Sequence, residues 1–162
     1  MLTSLLFDTD GKDPGGEGMV LSKKKHRLRV VGALMFRDGA VLLTRRPAQK
    51  TRGGLWEFPG GKVEKKETDV GALGRELREE LGVDARVGSR FDRVLHEYGD
   101  LSVDLVIYRC DIGVQNPKCL EVTEFAWVRP ERLFGYDLTP ADLPIAARIV
   151  REMVGSEGDD SL

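Results

Sequence analysis

Residues 61–83 read GKVEKKETDVGALGRELREELGV, and Glu76, Glu79 and Glu80 crowd together behind Arg75 near its end. Thr68 suits the N-cap of a helix that runs to about Leu81, and Gly82 suits its C-terminal stop. With Leu77 at the centre of the buried side, Val70, Leu73 and Leu81 fall within about 40° of it. The three glutamates then occupy an adjoining arc about 100° wide. Carboxylates at this spacing repel each other, and Arg75 and Arg78 offset them only in part. One explanation is a solvated Glu/Arg surface. The other is a cation. The preceding FPGGKV, residues 58–63, contains two glycines whose backbone can turn a carbonyl inward beside the carboxylates. Clustered carboxylates plus a carbonyl suit a hard divalent ion, Mg²⁺ or Mn²⁺, and magnesium readily shares its shell with substrate phosphates. The pattern points to phosphate chemistry on metal ions.

Outward from this helix, the chain reads as strands. LRVVGALMFR (28–37), a DG turn and AVLLTRR (40–46) predict a hairpin. EFPGGKV (57–63) predicts a short strand broken by a tight turn. Downstream, DARVGSRFDRVLHEY (84–98) and LSVDLVIYRC (101–110) predict two strands around Gly99-Asp100, with Val103, Leu105 and Ile107 alternating with Asp104, Val106 and Tyr108. VTEFAWV (122–128) is a further strand. PERLFGYD (130–137) starts with a proline suited to a first helical turn. TPADLPIAARIVREMV (139–154) predicts a closing helix with Leu143, Ala147 and Val150 on one face and Pro144 in its first turn. Hairpin connections in the order strands, helix, strands, helix predict an α/β fold with a mixed sheet flanked by helices, not a doubly wound parallel sheet.

The 162 residues fit one domain, and 41% hydrophobic with 32% charged residues is an ordinary globular mix. A net charge of −2 argues against a protein held to nucleic acid or anionic lipid by bulk charge. No apolar run approaches the ~20 residues of a membrane helix, and MLTSLLFDTD makes a poor secretory signal. Cys110 and Cys119 are the only cysteines and form no CxxC pair, which fits reduced thiols in a cytoplasmic protein. Residues 1–26, with the Gly/Asp-rich DGKDPGGEG and the basic KKKHR, read as a flexible extension. Residues 27–154 read as the domain, and 155–162 as a frayed tail.

The opening stretch also matches a known signature at every specified position: Gly61, five residues, Glu67, seven residues, then RELREELGV. The chain is identified by this box as a Nudix hydrolase. TRRP (44–47), LWEFPGGKVE (55–64), FAWVRPERL (125–133) and LTPADLPI (138–145) resemble the MutT-like branch, and the likeness covers about Leu28 to Val154. It implies the Nudix fold, an α/β/α sandwich with a mixed β-sheet. It also implies Mg²⁺-dependent cleavage of a nucleoside triphosphate to the monophosphate and pyrophosphate by water attack on phosphorus, with Mn²⁺ as an alternative ion. The associated tasks are nucleotide-pool sanitation and DNA repair.

By the same resemblance, Glu76, Glu79, Glu80 and the Gly60 carbonyl are metal ligands, and Arg75 pairs with Glu67 to orient the helix. Lys62 touches phosphate or is simply exposed. The family's further glutamate, ligand or general base, corresponds to Glu121 by its spacing to Trp127, with Glu124 as the alternative; either also fits an edge-strand surface. Arg46 matches an arginine of the base pocket. Phe58 matches an aromatic beside that pocket, or belongs to the core. Asp142 stands where MutT proteins proper have Asn, whereas CTP and modified-pyrimidine pyrophosphohydrolases have PAD, an aliphatic residue and Pro, as here. An ionised aspartate only accepts. It can take the cytosine amino protons or two guanine N–H groups, so it does not separate those bases, and it can also cap the last helix. Leu101 stands where MutT has a basic residue, which weakens an 8-oxo-dGTP assignment. The substrate is therefore open between an oxidised nucleotide such as 8-oxo-dGTP and CTP or a modified dCTP. A second activity to weigh is removal of pyrophosphate from an RNA 5′ end, with KKKHR holding the RNA. A non-catalytic nucleotide-binding module ranks low, because all the box glutamates are present. The oligomeric state is open.

Overall fold

The computed structural model describes residues 25–99 and 101–155. Most of the expected N-terminal extension (1–24) and most of the expected tail (156–162) lie outside the described residues. The strands are β1 (His26–Arg37), β2 (Ala40–Arg45), β3 (Trp56–Glu57), β4 (Gly60–Lys62), β5 (Arg86–Tyr98), β6 (Leu101–Asp111) and β7 (Glu124–Val128). Helix α1 (Asp69–Leu81) joins β4 to β5. A 3₁₀ turn over Pro130–Gly135 precedes α2 (Leu143–Val154).

Asp38 and Gly39 both have positive φ, 50° and 75°, and close the β1–β2 hairpin with the twist that adjacent strands require. β1 then pairs with β6 in parallel, from His26 opposite Leu101 to Met35 opposite Cys110. The other pairings are antiparallel. The result is a mixed sheet in the order β3-β2-β1-β6-β5, with β4 beside β1 and β7 beside β2.

Alternation along β1 divides the core. Val31, Ala33 and Met35 pack with Leu73, Leu77 and Leu81 of α1. Leu34 lies on the opposite face, where Val103, Leu105 and Ile107 meet Leu133, Ile145, Ala146 and Ile149. This is the expected α/β/α sandwich. No helix among the described residues is long and apolar enough to cross a membrane.

Two helix faces differ from expectation. Val70 is half exposed, while Ala72 and Glu80 are buried beside Leu73, Leu77 and Leu81. The buried arc of α1 is turned toward Glu80, and Val70 in the first turn is left to solvent. On α2 the buried residues are Ile145, Ala146 and Ile149, not the Leu143-Ala147-Val150 face. Leu143 starts the helix just ahead of Pro144 and stays exposed.

Thr68 Oγ1 accepts from Gly71 N at 3.1 Å, and Gly82 ends α1 at φ 64°. Buried Asp104 on β6 accepts from Arg29 (2.9 Å), Arg27 (3.2 Å) and Arg93 (2.7 and 2.8 Å). Arg29 also donates to Asp69 in the first turn of α1, at 2.5 and 3.2 Å. This network ties the start of α1 to β1, β5 and β6, on the sheet face opposite α2.

Candidate active site

The geometry of the carboxylate helix depends on the turn ahead of it. Pro59 O accepts from Ala33 N at 2.8 Å, which fixes the turn against β1. Gly60 and Gly61 then pass so close to their neighbours that no side chain fits. A Cβ on Gly60 would lie 2.0 Å from Val31 O, and one on Gly61 would lie 2.3–2.6 Å from the Glu76 carboxylate. The Glu76 carboxylate therefore rests directly on the Gly61 backbone.

The three glutamates face different ways. Glu80 points inward and is buried, and it accepts from Gly60 N at 3.3 Å. Glu76 is half-buried, and Glu79 is exposed. Arg75 Nη1 donates to both Glu76 (3.0 Å) and Glu79 (3.1 Å). Arg75 also grips Glu67, Nε to Oε1 at 2.6 Å and Nη2 to Oε2 at 2.9 Å, and donates to Lys62 O at 3.0 Å. Among the described residues no three acidic or thiol/imidazole side chains converge closely enough to chelate one ion unaided. The donor set is nonetheless all oxygen, and the cradle under Glu76 admits nothing larger than glycine. Both features fit a hard divalent cation that takes other ligands from water and phosphate.

Electrostatics separate these carboxylates. Burial, reinforced by Glu57 and Glu76, pushes Glu80 up to about 8. Burial also raises Glu76 against the pull of Arg75. The Arg75 fork holds Glu67 down at about 2. Like charges gathered in a low-dielectric site favour a cation there.

A cavity of about 240 Å³ opens beside Gly60, Gly61 and Lys62. Phe58 and Asp142 line it and are almost fully buried. Phe58 thus belongs to the core and to the cavity wall at once. Arg46 lines it too, but its guanidinium is engaged: Nη1 donates to both Glu57 oxygens (3.0 and 2.9 Å), and Nε donates to Thr51 O (2.9 Å). Lys62 is exposed at the rim.

Asp142 makes no side-chain cap to α2, contrary to the capping alternative. Its carboxylate instead accepts from Thr139 Oγ1 and from the Phe58 backbone amide. Burial, with Glu57 nearby, raises it to about 7.

Glu121 is exposed, and its backbone N–H donates to Glu80 O at the end of α1, at 3.3 Å. Its charge acts on Glu76. Glu124 instead pairs with Arg45 at 2.8 Å on β2. Of the two, Glu121 is the one the fold brings to the carboxylate helix.

Glu57, Arg52 and Tyr98 are among the cavity residues absent from the expectations. Glu57 sits between Arg46 and the buried Glu80 and Asp142, and burial raises its carboxyl. Its only sequence signal is a charge inside the apolar LWEF. Arg52 and Tyr98 also line the cavity, and neither carries a sequence signal of that role.

The NUDIX domain matches this chain over residues 30–148. A CTP pyrophosphohydrolase of Escherichia coli (strain K12) is 41% identical over 118 residues, which cover 73% of this chain and 87% of that protein. An 8-oxo-dGTP diphosphatase of Proteus vulgaris is 37% identical over 89 residues, 55% of this chain and 79% of that protein. The crystal structure of a MutT protein from Methanosarcina mazei Go1 superposes with a TM-score of 0.74 at 30% identity, covering 81% of this chain and 98% of that one.

Proposed function

The chain belongs to the NUDIX domain family, and from that premise we propose that it is a MutT-like, Mg²⁺-dependent nucleoside triphosphate pyrophosphohydrolase. It converts a (d)NTP to the monophosphate and pyrophosphate. The observation that carries this reading is the adjacency of two sites. Gly60 and Gly61, on which Glu80 and Glu76 rest, line the same cavity as the buried Asp142.

In this reading Glu76, Glu79, Glu80 and the Gly60 carbonyl hold Mg²⁺, with Mn²⁺ as a substitute. When bound, the ion neutralises phosphate charge and makes phosphorus more electrophilic. Arg75 and Glu67 fix the helix against the Lys62 carbonyl. Glu79 leaves the Arg75 fork to face the substrate, and Glu121 takes the proton of the attacking water. Lys62 at the rim steadies the phosphates. The base enters the cavity against Phe58, with Arg46 holding Glu57 and the loop above in place. Asp142 accepts from the base. The cysteines are free thiols among the described residues, which fits the reducing cytoplasm where nucleotide pools are sanitised.

Purified protein with Mg²⁺ and a panel of CTP, dCTP, 5-methyl-dCTP, dGTP and 8-oxo-dGTP tests this directly. Pyrophosphate and monophosphate appear in equal amounts for at least one member. Release of single phosphates, or no turnover of any member, overturns the proposal.

A further inference from the structure

Resting on that reading, we propose that Arg52, not Arg46, is the guanidinium that reads the acceptor edge of the bound base. The sequence singles out Arg46, and the structure commits it elsewhere. Its Nε and Nη1 are spent on Thr51 O and on both oxygens of Glu57. A guanidinium held in this way braces the cavity wall, and only its Nη2 is left to face a ligand.

Arg52 is differently placed. It lines the same cavity as Asp142. Its guanidinium carbon lies 3.6 Å from the centre of the Tyr98 ring, well inside cation–π range. No hydrogen-bonding or carboxylate partner engages it among the described residues, so stacking orients the fork while leaving its N–H donors to a ligand.

The arrangement is built in at both ends. Arg52 has φ 58°, left-handed backbone that a long side chain seldom adopts. The surrounding loop holds it there: Arg46 N donates to Leu55 O (2.9 Å), Gly54 N donates to Arg46 O (2.9 Å), and Leu55 N donates to Arg52 O (3.4 Å). On the far side, Tyr98 OH accepts from Ala141 N at 3.1 Å, one residue before Asp142. The ring that carries Arg52 is thus tied to the segment that carries the acceptor.

Together Asp142 and Arg52 supply one acceptor and one donor fork to a single cavity. Their complement is a base with an amino group and a carbonyl. Cytosine and guanine types qualify. Adenine offers the fork only ring nitrogens, each a single acceptor, and uracil offers the carboxylate only its ring N–H, so both fit the pair less fully.

Arg52→Asn and Arg52→Lys test the assignment. Asn tolerates the left-handed backbone and keeps the loop; Lys keeps the charge but loses the planar fork. Steady-state kinetics are compared on CTP, dGTP, ATP and the baseless ribose 5-triphosphate, with melting temperature as the control for folding. Loss of a charged hydrogen bond raises KM for CTP or dGTP by about tenfold to a hundredfold in both variants. The KM for ribose 5-triphosphate moves less than threefold, kcat changes little, and the preference over ATP narrows. Full rescue by Lys, or an equal loss on ribose 5-triphosphate, assigns Arg52 to the phosphates and overturns the proposal. An unchanged KM in Arg52→Asn also overturns it. Wild-type protein that turns over none of the triphosphates instead overturns the pyrophosphohydrolase reading itself.

Discussion

Arg75 and Glu67 meet fork to fork across the approach to α1, with Nε–Oε1 at 2.6 Å and Nη2–Oε2 at 2.9 Å. The same guanidinium reaches Lys62 O and the carboxylates of Glu76 and Glu79. One side chain therefore sets the distance between the glycine turn and the glutamate edge. Lysine cannot make the paired bonds. Arg75→Lys is expected to lower kcat/KM by about a hundredfold, the scale of a misplaced catalytic group. Glu67→Gln is expected to follow it in the same direction, while the melting temperature of either variant moves little. Pyrophosphate release kinetics check this, and wild-type rates in both variants remove the positioning role.

Metal binding is open to measurement without turnover. At a hundred times its Kd, an ion that binds only the folded protein stabilises it by about 2.7 kcal/mol. Wild-type melting temperature is expected to rise by several degrees on saturation with Mg²⁺. In Glu80→Gln the rise is expected to vanish together with turnover, and in Glu79→Gln it shrinks. A thermal shift series in Mg²⁺ checks both. An undiminished shift in Glu80→Gln shows that the ion binds elsewhere.

What the sequence reveals of this protein follows how local each feature is. The box residues from Gly61 to Val83 form one turn and one helix, so Thr68, Gly82 and the Glu67–Arg75 pair are all readable from spacing or resemblance. The alternation of Val103, Leu105 and Ile107 likewise marks β6. Glu57 escaped notice because β3 is only two residues long and offers no period to show which way its side chain points. Arg52 depends on a loop conformation and on Tyr98 far along the chain, and neither is a local property. The α2 face failed for a related reason. Several rotations of an Ala/Ile/Val-rich helix look equally apolar, and packing against β5 and the 3₁₀ turn chooses among them.

Asp142 supplies a pH test. Its folded value, about 7, lies above the ordinary value of 3.8, because burial disfavours the charged form. A raised carboxyl means that the folded state holds the proton more tightly. Its contribution is complete below about 4 and is lost as pH rises through about 7, on the scale of 1.4 kcal/mol per pKa unit. Asp142→Asn stays neutral throughout. Between pH 4.5 and 7.5 the wild type is therefore expected to lose stability relative to the variant, by a few kcal/mol at most. Urea unfolding at the two pH values checks it, and parallel pH profiles count against the shift. The same substitution adds a donor, so it is also expected to reorder the nucleotide panel.

Asp104 makes the opposite case. Arg93 and Arg29 hold its carboxyl down at about 2, although it is buried, and Arg27 pairs with it as well. Its contribution is present above the ordinary value of 3.8 and is lost as pH falls through about 2. Asp104→Asn keeps the shape but leaves Arg29 and Arg93 facing one another with their shared counter-charge gone. Both are partly exposed, so water relieves part of the cost. A loss of about 2 kcal/mol is expected at pH 7. Because Arg29 also holds Asp69, the first turn of α1 loosens, and amide exchange there should quicken before that of the central strands. Urea unfolding gives the first quantity and hydrogen exchange the second. A destabilised variant with unchanged exchange in α1 separates the network on the sheet from the helix it is taken to anchor.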